Sequence, residues 1–153
     1  MNGVYLRELP QEEFAHRLLL WLGENGYDWP AELVTRTAPL VQEKIAKLSE
    51  FPAFAGFFFG DVEPDASDLD GGAPMLAAAD EALASLEPFD AATIEAALRQ
   101  TADRLGLKPR QAFQPLRVAV TGSKVSPGLF ESIELLGRET TLSRLRAAAN
   151  AVG

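Results

Sequence analysis

The chain has no cysteine. That excludes disulfides, thiolate metal sites and a cysteine nucleophile, and it fits a reducing cytoplasm. There is one histidine, His16, so zinc sites and serine-type triads lose their usual ligand or base. A lone helical histidine is more often a surface or capping residue than a catalyst. No apolar run approaches the roughly 20 residues that cross a bilayer. The opening M-N-G-V-Y has neither the basic nor the apolar region of a signal peptide. A soluble, cytoplasmic protein without membrane contact is expected. There is no G-x-x-x-x-G-K-[ST] phosphate loop and no G-x-G-x-x-G. Acids are plentiful, but none forms a recognisable general acid/base pair. No catalytic residue and no metal ligand set is expected.

What is present is a chain of 153 residues, 47% hydrophobic, enough for one domain or two small ones with a packed core. The net charge is −8. Taken alone this argues against nucleic acid, because phosphate binding needs clustered Lys and Arg. The average hides a partition. Residues 61–95 hold ten acids and no base, whereas 107–146 hold seven bases and three acids, a local balance of +4. A polyanion fits the last third only if the acidic middle faces elsewhere; otherwise both stretches are ordinary solvated helix faces.

Periodicity predicts helix after helix. Pro10 and the acids Glu12 and Glu13 open the first; Phe14, Leu18, Trp21 and Leu22 give it an apolar stripe, and Gly23 to Gly26 end it. Pro30 starts a second helix. Leu40, Val41, Ile45 and Leu48 form the stripe of a third, broken at Phe51-Pro52, and the aromatics of 54–59 seal this first bundle. Residues 60–74 are loop-like. Helices are then expected from Met75 to Leu86, from an N-cap at Asp90 to Leu105 with Gly106 as C-cap, and from Lys108 to about Val120. After a turn at 121–126 comes a short helix opened by Pro127, and a last one from Thr140 to Ala149. The expected class is all-α, two small helical bundles in tandem, 1–66 and 67–153.

The most informative stretch is 113–146, FQPLRVAVTGSKVSPGLFESIELLGRETTLSRLR. Arg117 precedes the tight turn Thr121-Gly122-Ser123. Ser126-Pro127-Gly128 presents a helix N-terminus, where free backbone N–H groups attract acceptor-rich or anionic groups. Leu129 and Phe130 follow as candidate apolar cover for an unstacked base. A plain helix-turn-helix core with an incidental arginine explains the same residues equally well.

This stretch resembles the C-terminal signature of bacterial glutamyl-tRNA synthetases, class I aminoacyl-tRNA synthetases. Q-P-L-R at 114–117, A-x-T-G-S at 119–123, P-G-L-F-E at 127–131 and L-L-G-R-E at 135–139 follow in the family's order. Met1-Asn2-Gly3 with Tyr5, Leu6 and Arg7 resembles the start of the family's anticodon-binding region, and Leu48-Ser49-Glu50-Phe51-Pro52 resembles its L-x-E-F-P step. The resemblance covers essentially the whole chain, strongly at both ends and loosely over 60–98. The family's HIGH-like and KMSK-like ATP motifs do not occur. It implies an all-helical anticodon-binding part of a longer enzyme that attaches glutamate to tRNA using ATP and Mg, with no cofactor in this part.

Residue roles carry over from the resemblance alone. Arg117 would contact the first anticodon base; Ser126 and Leu129 the middle base; Pro127 and Phe130 would flank the first. A closely aligned family member has threonine in place of Ser126, so the hydroxyl is kept and a methyl lost. The third base is read from the first bundle by an arginine in members that reject glutamine tRNA; the aligned residue here is Lys44, a departure from the pattern. The implied partner is glutamate tRNA, alone or with glutamine tRNA, bound by a monomer. A second reading, from a different class, is a helical protein-interaction module without RNA binding that grips a partner helix through an exposed Phe57-Phe58-Phe59 or Leu-rich face.

Overall fold

The local signals above translate directly into helix ends. The computed structural model describes residues 6–152, so the Met1-Asn2-Gly3 and Tyr5 part of the resemblance lies outside the described residues. Among them are eight α-helices and no strand: α1 Gln11–Glu24, α2 Ala31–Val41, α3 Phe51–Ala55, α4 Ala73–Ala84, α5 Ala91–Arg104, α6 Pro109–Thr121, α7 Leu129–Leu136 and α8 Arg138–Val152. They fall into two compact units, one ending at Gly60 and one starting at Asp61. Residues 61–66, grouped with the first bundle in the sequence reading, cluster with the second unit. There Val62 sits against Gly122, 3.1 Å from where a Cβ on that glycine would lie.

The first unit holds α1 to α3. Phe14, Leu18 and Leu22 of α1 are fully buried, as are Val34, Ala38 and Val41 of α2 and Phe51 and Ala55 of α3. These recur at helical spacing, so each helix turns one stripe inward. The expected helix over Leu40–Leu48 does not form as such. α2 already runs to Val41, with Pro39 inside it, and Phe51-Pro52 starts α3 rather than breaking a helix. Proline lacks only an N–H that the first turn leaves unpaired, so the N-terminal turn tolerates it. Gln42, buried just past α2, fastens the chain by donating to the carbonyls of Leu6 at 2.9 Å and Leu9 at 2.7 Å. Trp29 lies flat on Phe59, centroids 4.3 Å apart at 2°. Phe57 and Phe58 are 7% and 8% exposed. The phenylalanine face imagined for a partner helix is therefore mostly interior, because the short turn after α3 folds those two rings into the core.

The second unit holds α4 to α8 around one core that includes Leu76, Leu83, Ile94, Leu98, Leu116, Ile133 and Leu145. α8 packs chiefly on α4, and α5 on α4 and α7. Asp90 caps α5 by accepting from the Thr93 N–H at 2.8 Å. Hydrogen bonding from the Thr93 side chain, and then from its backbone N–H, holds the Asp90 carboxyl below its ordinary pKa. Gly106, at φ 71°, ends the helix in the left-handed conformation that glycine adopts without strain. Carbonyls at and just past the end of α4 are also met by a side chain distant in sequence. Arg138 Nε donates to Leu83 O at 3.2 Å and its Nη2 to Leu86 O, while its guanidinium lies over the Phe89 ring at 5.0 Å. Two buried hydroxyls, Ser132 Oγ and Thr141 Oγ1, find no partner among the described residues.

Candidate nucleic-acid interface

The geometry around Arg117 follows from how α6 ends. Ala112, Pro115, Leu116, Val118, Ala119 and Val120 are buried, and Arg117 is left on the half-exposed side. Gly122, at φ 78°, closes the helix, its N–H on Val118 O at 2.8 Å. The Thr121 hydroxyl lies 2.7 Å from Arg117 O and 3.0 Å from Ser123 O. The Ser123 hydroxyl accepts from the Val125 N–H at 3.1 Å. These bonds turn the chain back, so that Ser126-Pro127 returns beside α6. There Arg117 Nη1 donates to Ser126 Oγ at 2.5 Å and to Pro127 O at 2.9 Å, with a longer contact to Ser126 O at 3.5 Å. The Ser126 hydroxyl in turn donates to Pro127 O at 2.8 Å.

One guanidinium nitrogen is thus spent on holding the α6–α7 turn. Nε and Nη2 donate to no protein group among the described residues. The result is a fixed cationic fork with an uncommitted edge, the shape that meets two acceptors on a base edge or a phosphate. Burial lowers the Arg117 pKa from its ordinary value, but an arginine stays charged near neutrality. The head is half-buried and holds the turn as well as carrying that edge.

The other residues grouped by the sequence take different positions. Pro127 is buried and Leu129 is 3% exposed, so both side chains belong to the core under the turn. Phe130 is half-buried and packs edge-to-face on Phe113, centroids 5.3 Å apart at 88°. Gly128 caps α7 without a side chain. A Cβ there would lie 2.4 Å from Glu131 Oε1, so the carboxylate sits at the helix start, where the dipole favours it. Lys44 belongs to the first unit, exposed in the turn after α2, with its N–H on Val41 O at 2.8 Å.

The basic last third is not an open electropositive face, because the acidic middle folds onto it. Lys124 pairs with Asp68 at 3.1 Å, and Arg146 with Asp80 at 3.0 Å. Arg144 Nη1 donates to Val120 O at 2.7 Å, with the Asp61 charge also acting on it. The charge that this stretch presents is therefore a few placed groups rather than a continuous field. The spacing of residues gave no sign of one cluster: Arg99 of α5 lies over Phe113 of α6 at 5.4 Å and Phe130 of α7 at 6.0 Å. Among the described residues no group of three His, Cys, Asp or Glu is placed to hold a metal, and no helix is long and apolar enough to cross a membrane.

Residues 13–149 match the family model described as "Anticodon binding domain". The chain is 47% identical over 165 residues to the glutamate–tRNA ligase of Acidothermus cellulolyticus, covering 97% of this chain and 32% of that protein. It is 45% identical over 163 residues to that of Kocuria rhizophila, covering 96% and 32%. The chain thus spans about a third of the length of these curated relatives. Among solved structures it is similar to a glutamate tRNA ligase from Elizabethkingia meningosepticum crystallised with its amino acid. There the TM-score is 0.82 at 25% identity, over 97% of this chain and 30% of that one. The glutamate-tRNA synthetase from Elizabethkingia anophelis shares the fold, with a TM-score of 0.79 at 24% identity over 95% and 29%.

Proposed function

The chain belongs to the anticodon binding domain family, and from that premise we propose that it reads the anticodon of glutamate tRNA as the recognition part of a glutamate–tRNA ligase. The longer protein attaches glutamate to tRNA with ATP and Mg in the cytoplasm; this part contributes no catalytic group. The observation that carries the reading is the Arg117 fork, anchored through Nη1 to Ser126 and Pro127 with Nε and Nη2 uncommitted. Two aligned donors on a fixed plane select a base edge, where a mobile lysine would not. Ser126 contributes mainly by holding that fork, since its hydroxyl already accepts from Arg117 and donates to Pro127 O. The burial of Phe57 and Phe58 weakens the phenylalanine-face form of the helix-gripping alternative.

The test is a titration of this chain with glutamate tRNA and with the same tRNA altered at the first anticodon base. Binding should weaken steeply with salt, because phosphate contacts release counterions. It should also weaken about tenfold or more on the base change, the loss of one good bidentate pair. Equal, salt-insensitive binding of every RNA would sink the proposal.

Lys44 is the residue proposed to face the third base, in which the glutamate and glutamine anticodons differ, cytosine against guanine. A compact ammonium on a flexible stem reaches acceptors on either base, whereas an arginine fork favours one. Lys44→Arg should therefore raise the ratio of glutamate to glutamine tRNA affinity by several-fold, about 1 kcal/mol. An unchanged ratio, with both tRNAs still bound as before, means that another side chain reads that base.

A further inference from the structure

Three helices converge where no motif in the sequence announces it. Phe113 of α6 and Phe130 of α7 meet edge-to-face, and the Arg99 guanidinium from α5 lies over both rings, at 5.4 and 6.0 Å. Arg99 Nε is tied to Glu95, one turn earlier, at 2.8 Å, and its side chain remains 51% exposed. The Glu95 carboxylate holds Nε and the two rings lie beside the guanidinium carbon, which restrains the head, while Nη1 and Nη2 donate to no protein group among the described residues. An exposed i,i+4 pair by itself contributes little to stability, and a cation at this distance from aromatic faces adds a modest attraction. What the arrangement does supply is a preorganised flat cation facing solvent.

Its place relative to Arg117 gives that surface a use. Phe113 is one helical turn before Arg117 on α6, so the two are neighbours on one face. Phe130 is three residues past Pro127, whose carbonyl Arg117 holds. The rings that Arg99 touches thus lie one helical turn before Arg117 on α6 and three residues past the Pro127 that Arg117 holds. We propose that Arg99, set on Phe113 and Phe130, is a further RNA-contact residue, offering a stacking plane and phosphate donors to a nucleotide of the single strand next to the one that Arg117 meets. This rests on the reading that the second unit binds an anticodon loop. Unpaired bases stack on arginine planes as well as on aromatic rings, and such contacts are tolerant of base identity. Arg99 thus adds affinity without selecting a base, the complement of Arg117.

The experiment titrates this chain, wild-type and as Arg99→Ala, Arg99→Lys and Arg117→Ala, with glutamate tRNA and its first-base variant, and melts each protein alone. Arg99→Ala should bind both tRNAs about five- to tenfold more weakly, with the ratio between them unchanged and the melting midpoint held. Arg99→Lys, which keeps the charge and loses the plane, should recover only part of the affinity. Wild-type affinity in Arg99→Ala, beside a lost base preference in Arg117→Ala, overturns the assignment of Arg99 and leaves the anticodon reading standing. Full recovery by Arg99→Lys overturns the stacking plane. A wild-type chain that binds neither tRNA overturns both.

Discussion

Arg117→Ala is expected to weaken binding of glutamate tRNA by roughly 1–3 kcal/mol, with loss of preference for the first anticodon base. It should also destabilise the second unit by about 1–2 kcal/mol. Both effects follow from the divided use of one guanidinium. Nη1 holds Ser126 Oγ and Pro127 O. Alanine leaves those oxygens without their cationic donor in a half-buried turn, and the cost falls on folding. Nε and Nη2 carry no protein bond among the described residues, so their loss falls on RNA. Arg117→Lys separates the two. Lysine can still donate to the turn, so most of the stability should return, but it has no second nitrogen for a base edge, so the base preference should not. If Arg117→Ala melts like the wild type, the clamp is not formed in solution. If the folded variant still prefers the original first base, the fork does not read it.

Gly72→Ala should destabilise the second unit by about 1–3 kcal/mol, although alanine is ordinarily the better helix residue. Gly72 caps α4 at φ −91°, so backbone strain is not the cause. A Cβ there would lie 2.6 Å from Pro115 Cβ, and 3.0 Å from both Pro115 Cγ and the Leu69 carbonyl oxygen. The pyrrolidine ring and the backbone cannot rotate away, so α4 or α6 must shift. Pro115 is two residues before Arg117, and a displaced α6 loosens the Ser126 clamp as well. Gly23→Ala makes the control. Gly23 lies within α1 with nothing within 4 Å of a new Cβ, and the same substitution should stabilise there by up to about 1 kcal/mol. The unfolding of both variants can be followed by far-ultraviolet dichroism and by tryptophan fluorescence. Both tryptophans, Trp21 and Trp29, lie in the first unit, so comparing the two signals tells how far the loss at Gly72 stays within the second. Unchanged stability in Gly72→Ala would mean that the close approach to Pro115 is not present in solution.

Much of the fold was legible because helix ends are set by neighbours in the chain. Asp90 bonds the N–H three residues on, and Gly106 and Gly122 take a left-handed turn that side chains resist. Such signals act over one turn and need no partner from elsewhere. The stripe at Leu40, Val41, Ile45 and Leu48 misled for the complementary reason. Val41 and Ile45 are indeed buried. However, Gln42 spends its side chain on Leu6 and Leu9, more than thirty positions away, and the helix ends before the pattern does. Apolar spacing reports which residues go inward, not whether the backbone between them stays helical.

The candidate site divides in the same way. Sequence alone determined an all-helical chain, the turn at Thr121-Gly122-Ser123, and, through the order of its motifs, a group of residues that includes Arg117, Ser126 and Pro127. Those three lie within ten positions, and one tight turn is enough to bring them into hydrogen-bond reach. Only the tertiary structure decided that Pro127 and Leu129 face inward, that Asp68 and Asp80 meet Lys124 and Arg146, and that Arg99 rests on Phe113 and Phe130. These depend on which helix packs beside which. That choice minimises exposed apolar surface over the whole unit and leaves charged side chains to meet whatever the packing brings near. A net charge read along the chain is a sum over residues; the charge that a ligand meets is what remains after folding has paired them.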